Sequence, residues 1–242
     1  MGFLLEVVAW FADPENWWGS AGIVNRTWEH FWYSAVASVS AIVIALPIGL
    51  YVGHTGRGGE IAVNVSNTGR SIPSFGIIIL AWTLFGFGYL PAWLALAALA
   101  LPPIVTNTYV GIRSVDPEVR DSAEGMGLTP VQVLLQVEMP VASPLIMAGI
   151  RTSVVQVVAT ATLAAFISLG GLGRLIIDGL AQRDFAKVTA GALLAAGLAL
   201  LTEYTLAAVQ RAVVPRGLQQ RARHAVKEAR AGQTAKPAEA TI

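Results

Sequence analysis

The side chains in this sequence that are able to do chemistry are few and widely spaced. Glu203 is the single carboxylate within the apolar run 188–210, and an ionisable group in such a setting is costly unless it faces other protein groups. Its expected role is an assembly or gating contact, with direct solute contact and lipid-facing snorkelling as the alternatives. Arg151 stands at the mouth of another apolar run, placed to anchor at an interface or to pair with a loop carboxylate. Ser74, Asn107, Thr108, Thr160 and Thr162 are neutral hydrogen-bonding groups inside apolar runs, suited to helix–helix contacts or to lining a path for a polar solute. Trp82 and Phe85 offer aromatic faces for packing or for the same path. His30, His54 and His224 lie far apart and outside any HExxH pattern, and the absence of cysteine removes thiolate metal sites and disulfides. No GxxxxGK[ST] phosphate loop occurs. No catalytic residue, metal site or bound cofactor is expected from these residues.

The elements that must position them are apolar helices. The chain is 55% hydrophobic and 13% charged, against about 25% charged in soluble domains. Spans are expected at about 31–53, 71–88, 91–112, 146–170 and 188–210, since a crossing needs about 20 apolar residues. Pro47, Pro73, Pro102 and Pro103 fall inside these runs, where neighbouring helices and hydroxyl side chains can satisfy the freed carbonyls. Residues 3–11 are too short to span and carry Glu6, and Asp13-Pro14-Glu15 then turns the chain. Five of the seven tryptophans (Trp10, Trp17, Trp18, Trp28 and Trp32) lie in the first 32 residues, as in an interfacial aromatic belt. Residues 1–30 are therefore read as an external interfacial segment, with a sixth span as the alternative. The start lacks a basic n-region, which argues against a signal peptide.

Orientation follows from Lys and Arg. With the tail from Arg211 onward inside, the inner segments 54–70, 113–143 and the tail hold eleven and the outer segments four. The N-terminus, 85–91 and 174–187 then lie outside. Within 174–187, LIIDGL has the pattern of a short external helix or of a solvated connector. The basic tail 213–242 is expected to be partly disordered, its first half able to lie on anionic lipid.

The inner loop 113–143 is capped with care. Asp116-Pro117 reads as an N-cap followed by proline at the first helical position, with Glu118 in the first turn. Gly127 is expected to break that helix at positive φ. Thr129-Pro130-Val131-Gln132 starts a second short helix with a capping box, expected to end before Pro140. Asp121, Ser122, Ala123 and Glu124 lie on the first helix, and Ser122 and Ala123 are expected to present a small surface to a partner.

This loop resembles the signature of ABC-importer permeases: Glu-Ala-Ala, three residues, Gly, nine residues, Ile-x-Leu-Pro. Asp121-Ser122-Ala123 stands for its start, Gly127 for its glycine and Val137-Glu138-Met139-Pro140 for its end, with Asp for Glu, Ser for Ala, Val for Ile and Met for Leu. The resemblance extends over about 25–218. Within it PIVTNTYVGIRSVDPEV (103–119), IMAGIRTSVVQVVATATLAAFISLGGLG (146–173) and VVPRGLQ (213–219) are similar to permeases for quaternary-ammonium osmoprotectants. The GGLG element is shared with methionine permeases.

The resemblance implies an all-α integral membrane protein of the methionine-permease-like fold, with a cytoplasmic coupling helix in the loop. It implies a bacterial cytoplasmic-membrane protein that works with two ATPase subunits, which bind the ATP and Mg, a second identical or similar permease chain, and an external substrate-binding protein. Nucleic acid has no part in it. Import of methionine or another amino acid, and a channel or scaffold without ATP coupling, are the competing readings.

Overall fold

A computed structural model describes residues 2–215 and 217, and every regular element within them is helical. The basic tail expected from 218 onward lies outside the described residues. Helix α1 (Gly2–Ala12) is apolar but only 11 residues long. A 3₁₀ turn at Pro14–Asn16 follows, capped by Asp13, whose carboxylate accepts from the Glu15 N–H at 3.0 Å. Helix α2 (Ile23–Thr55) starts before the expected boundary at 31 and runs through Pro47 to a left-handed Gly56.

The expected span at 71–88 is corrected. Helix α3 (Gly59–Ser71) is largely polar, and α4 (Ser74–Phe85) has 12 apolar residues, too few to cross by itself. Pro73 causes the break, because it disfavours helical backbone in the preceding residue and Ile72 is extended at φ −80°, ψ 128°. Helix α5 (Tyr89–Arg113) follows, then α6 (Pro117–Gly125) and α7 (Pro130–Gln132). Helix α7 continues through a π segment, Val133–Glu138, into α8 (Met139–Thr160) and a 3₁₀ segment, Ala161–Ile167. Helices α9 (Leu172–Gln182) and α10 (Phe185–Val213) complete the described fold. The α9 helix answers the pattern seen in LIIDGL. Four stretches are long and apolar enough to cross a membrane: α2, α5, Pro130–Ile167 and α10.

Helix α5 is the most buried of these and lies between α2 and α8. Its Leu96, Ala100 and Ile104 pack on Ala37, Ala41 and Ala45 of α2 and on Val157 and Ala161. Small residues set this spacing, as expected where helices pack without a hydrophobic driving force. A Cβ on Gly49 would lie 2.6 Å from Thr108 Cβ, and one on Gly149 would lie 2.6 Å from Asn107 Cβ. Hydroxyl groups reach the carbonyls around the proline pair of α5: Ser153 donates to Ala100 O at 2.9 Å and Ser66 to Pro102 O at 3.3 Å. Helix α10 is the least buried and packs on α9, α8 and α1.

Candidate functional site

The loop between α5 and α8 begins as its capping residues predict. Asp116 accepts from the Glu118 N–H at 2.9 Å, Pro117 opens α6, and Gly127 takes φ +87°. The Thr129 N–H donates to Gln132 Oε1 at 2.8 Å, the return bond of a capping box. Asp121, Ser122 and Glu124 are exposed on α6, and Pro130 is exposed at the first position of α7. The Ser122 hydroxyl donates to Glu118 O at 2.6 Å.

Two expectations for the loop are corrected. Ala123 is only 2% exposed and faces its own bundle, so it is not part of an outward small surface. Large apolar residues also reach outward there: Met126 is 75% exposed and Val131 64%. The second helix also does not stop before Pro140. The chain stays helical through it, because the preceding turn widens to a π segment in which the Met139 N–H bonds back to Leu134 O, and Pro140 sits in the first turn of α8.

Beneath the loop lies a charged cluster that sequence reasoning missed. Glu138 is 1% exposed. Its Oε1 lies 2.8 Å from Arg120 Nε on α6, and its Oε2 lies 2.7 Å from His54 Nδ1 at the end of α2. Arg120 also donates to Ile112 O near the end of α5. One carboxylate thus ties the loop to the ends of α2 and α5. Glu138 was visible as a lone charge between apolar residues, but its partners come from 18 and 84 positions away, a distance that local pattern does not bridge.

The opposite end of α2 holds a second polar cluster, built around the GGLG turn. Glu29 Oε2 accepts from the Gly171 N–H at 2.8 Å and from Arg26 at 2.9 Å. His30, 1% exposed, accepts from the Leu172 N–H at Nδ1 (3.3 Å), which leaves Nε2–H to donate to Val158 O at 2.8 Å. A Cβ on Gly173 would lie 2.1 Å from the backbone Thr162 O, and Gly171 takes φ +81°, so the turn resists a side chain at both. This requirement explains the glycines that the sequence displays.

Arg151 and Glu203 pair with each other at 3.2 Å across α8 and α10, and Arg151 also donates to Gln210 Oε1 at 2.9 Å. The partner of Arg151 is therefore a helix carboxylate and not a loop one. Thr108 is fully buried in the α2–α5 contact, and the Asn107 amide donates to Pro103 O of its own helix at 2.7 Å. Thr162 donates to Ala159 O at 2.7 Å, and Thr160 is half-buried where α8 tightens into the 3₁₀ segment. Trp82 packs on the Ile78–Ala164 cluster and edge-on to Phe87, whereas Phe85 is exposed. Ser74 opens α4 and lines a cavity that it shares with Gln156 of α8.

The long apolar helices thus form a bundle with a capped, apolar-tipped loop locked to their ends. The family described as "Binding-protein-dependent transport system inner membrane component" matches residues 21–218. The chain belongs to that family. This permease is 36% identical over 197 residues to the choline transport system permease protein OpuBB of Bacillus subtilis, covering 81% of this chain and 91% of that protein. It is 36% identical over 210 residues to the carnitine transport permease protein OpuCB of Listeria monocytogenes, covering 87% and 93%. A chain of the MetNI methionine ABC transporter in an inward-facing conformation shares the fold, with a TM-score of 0.69, 22% identity and coverage of 80% and 96%. The permease is thus a multi-pass inner-membrane transport subunit rather than an enzyme, and its family works with a separate ATPase and a substrate-binding protein.

Proposed function

We propose that this permease carries a small quaternary-ammonium osmolyte, such as glycine betaine, carnitine or choline, into the bacterial cell. The names of its relatives support the substrate class, as do the stretches 103–119 and 146–173. The unit is two permease chains on two ATPase subunits, with the N-terminus, the α4–α5 turn and α9 outside and the α6–α7 loop inside. ATP and Mg belong to the ATPase, and this chain holds neither.

The observation that carries the reading is the loop. Met126 and Val131 project apolar side chains on either side of Gly127, with Asp121, Ser122, Glu124 and Pro130 around them, a surface suited to a groove on the ATPase. Closure of two ATPase subunits on ATP pulls such loops together. The Arg120–Glu138–His54 contacts pass that displacement into α2 and α5 as a rigid-body change, driven by the tighter binding of ATP to the closed arrangement.

The test is purification of the complex from cells producing Met126→Glu with Val131→Glu, together with osmolyte uptake. The expected result is a normally inserted permease that no longer retains the ATPase and no longer transports. Retention of the ATPase and normal uptake would show that the loop is not the docking element.

A further inference from the structure

Where α3 gives way to α4 a cavity of about 300 Å³ opens, lined by Gly69 and by residues 71 to 74 at the helix break, and by Leu99 and Gln156 from α5 and α8. Gln156 lies in the apolar course of α8, and among the described residues its amide has no hydrogen-bond partner. Its side chain is half-buried and lines the cavity, so the amide is placed to meet a polar solute that enters. Ser74 adds a hydroxyl donor to the same wall. Helix α4 starts at Ser74 without a side-chain cap, which adds the positive end of a helix. Among the described lining residues, Gly69, Ser71 to Ser74, Leu99 and Gln156, the polar groups are neutral donors, which suits a solute that carries a negative end. Phe75, next in the chain, meets Phe166 edge-to-face at 5.1 Å, and both rings are exposed. Such faces attract an alkylated ammonium group.

We propose that this cavity is a transit site for a small zwitterion, a quaternary ammonium carboxylate. Gln156 and Ser74 donate to the carboxylate, and the Phe75–Phe166 pair receives the cation. The site rests on the osmolyte reading above and adds to it a place in the chain and a preference for carboxylate over hydroxyl.

The experiment is uptake of labelled glycine betaine, carnitine and choline by cells carrying the complete importer, with surface level measured for each variant. Choline has a hydroxyl where the other two have a carboxylate. Gln156→Leu is expected to lower the betaine-to-choline uptake ratio about tenfold, as loss of one hydrogen bond to a charged group implies. Gln156→Glu, which repels a carboxylate, is expected to lower it further. An unchanged ratio in both variants at normal surface level overturns the site. If the wild type carries the carboxylates but not choline, Gln156→Asn becomes the reference. Uptake kept in Asn and lost in Glu then supports the site, and equal uptake in the two overturns it. Wild-type uptake of choline alone overturns the site and leaves the osmolyte reading standing, whereas uptake of none of the three overturns both.

Discussion

Glu138 touches a guanidinium and an imidazole while almost wholly excluded from solvent. Removing it strands Arg120 in a site built for a pair. Glu138→Ala should cost on the order of 3 kcal/mol, because breaking a buried pair leaves a charge uncompensated. A lowered thermal midpoint of the purified complex, with uptake lost, is the expected reading. His54→Asn removes one hydrogen bond at a half-buried ring and should cost about 1 kcal/mol. Equal stability of Glu138→Ala and wild type would contradict a buried Glu138–Arg120 pair. The glycines give a second contrast at this scale. Gly173→Ala drives a methyl into the Thr162 backbone, whereas Gly197→Ala meets nothing within 4 Å. The first should lower expression of folded permease and the second should leave it unchanged, as fluorescence size-exclusion chromatography would report.

Helix α8 and helix α10 are joined by Arg151 and Glu203, both about one-third exposed, so the pair is worth no more than about 1 kcal/mol. Its importance is register rather than stability. Glu203→Ala should impair coupling more than Glu203→Gln, which keeps a hydrogen-bonding group for Arg151. Removing both charges, as Arg151→Met with Glu203→Leu, should be milder than removing either alone, and a double-mutant cycle on substrate-stimulated ATPase measures this. Pro140 acts on an element as well. Its missing N–H accompanies the wide turn at Val133–Glu138, so Pro140→Ala is expected to let that turn tighten and to weaken coupling at unchanged expression. Element identity was largely legible in the sequence. Apolar length gave α2, α5, α8 and α10, and Asp116, Gly127 and Thr129 gave the loop its helix starts and its break. The failures came where two elements share one run. Uncharged residues continue through Ile72-Pro73, so hydropathy alone merged a short α4 with the end of α3. Pro140 looked like a stop because sequence pattern carries no sign of a π turn. The Glu138 and Glu29–His30 clusters were illegible because each joins groups brought together only by helix packing.

At the scale of the whole molecule the two polar clusters lie at opposite ends of α2. Glu29 and His30 fix α2 to α8 and α9, and Glu138 fixes α2 to the loop. A cysteine at Gly58 should react only with membrane-permeant thiol reagents in intact cells, whereas one at Gln182 should also react with impermeant ones. Labelling of position 58 from outside would reverse the orientation. The central claim joins substrate class to ATP coupling, and one measurement reaches both: ATP hydrolysis by the reconstituted complex when its binding protein is added, loaded in turn with glycine betaine, carnitine, choline and methionine. The account predicts stimulation by one or more of the quaternary ammonium solutes and none by methionine. Stimulation by methionine alone, or hydrolysis indifferent to every loaded binding protein, would contradict it.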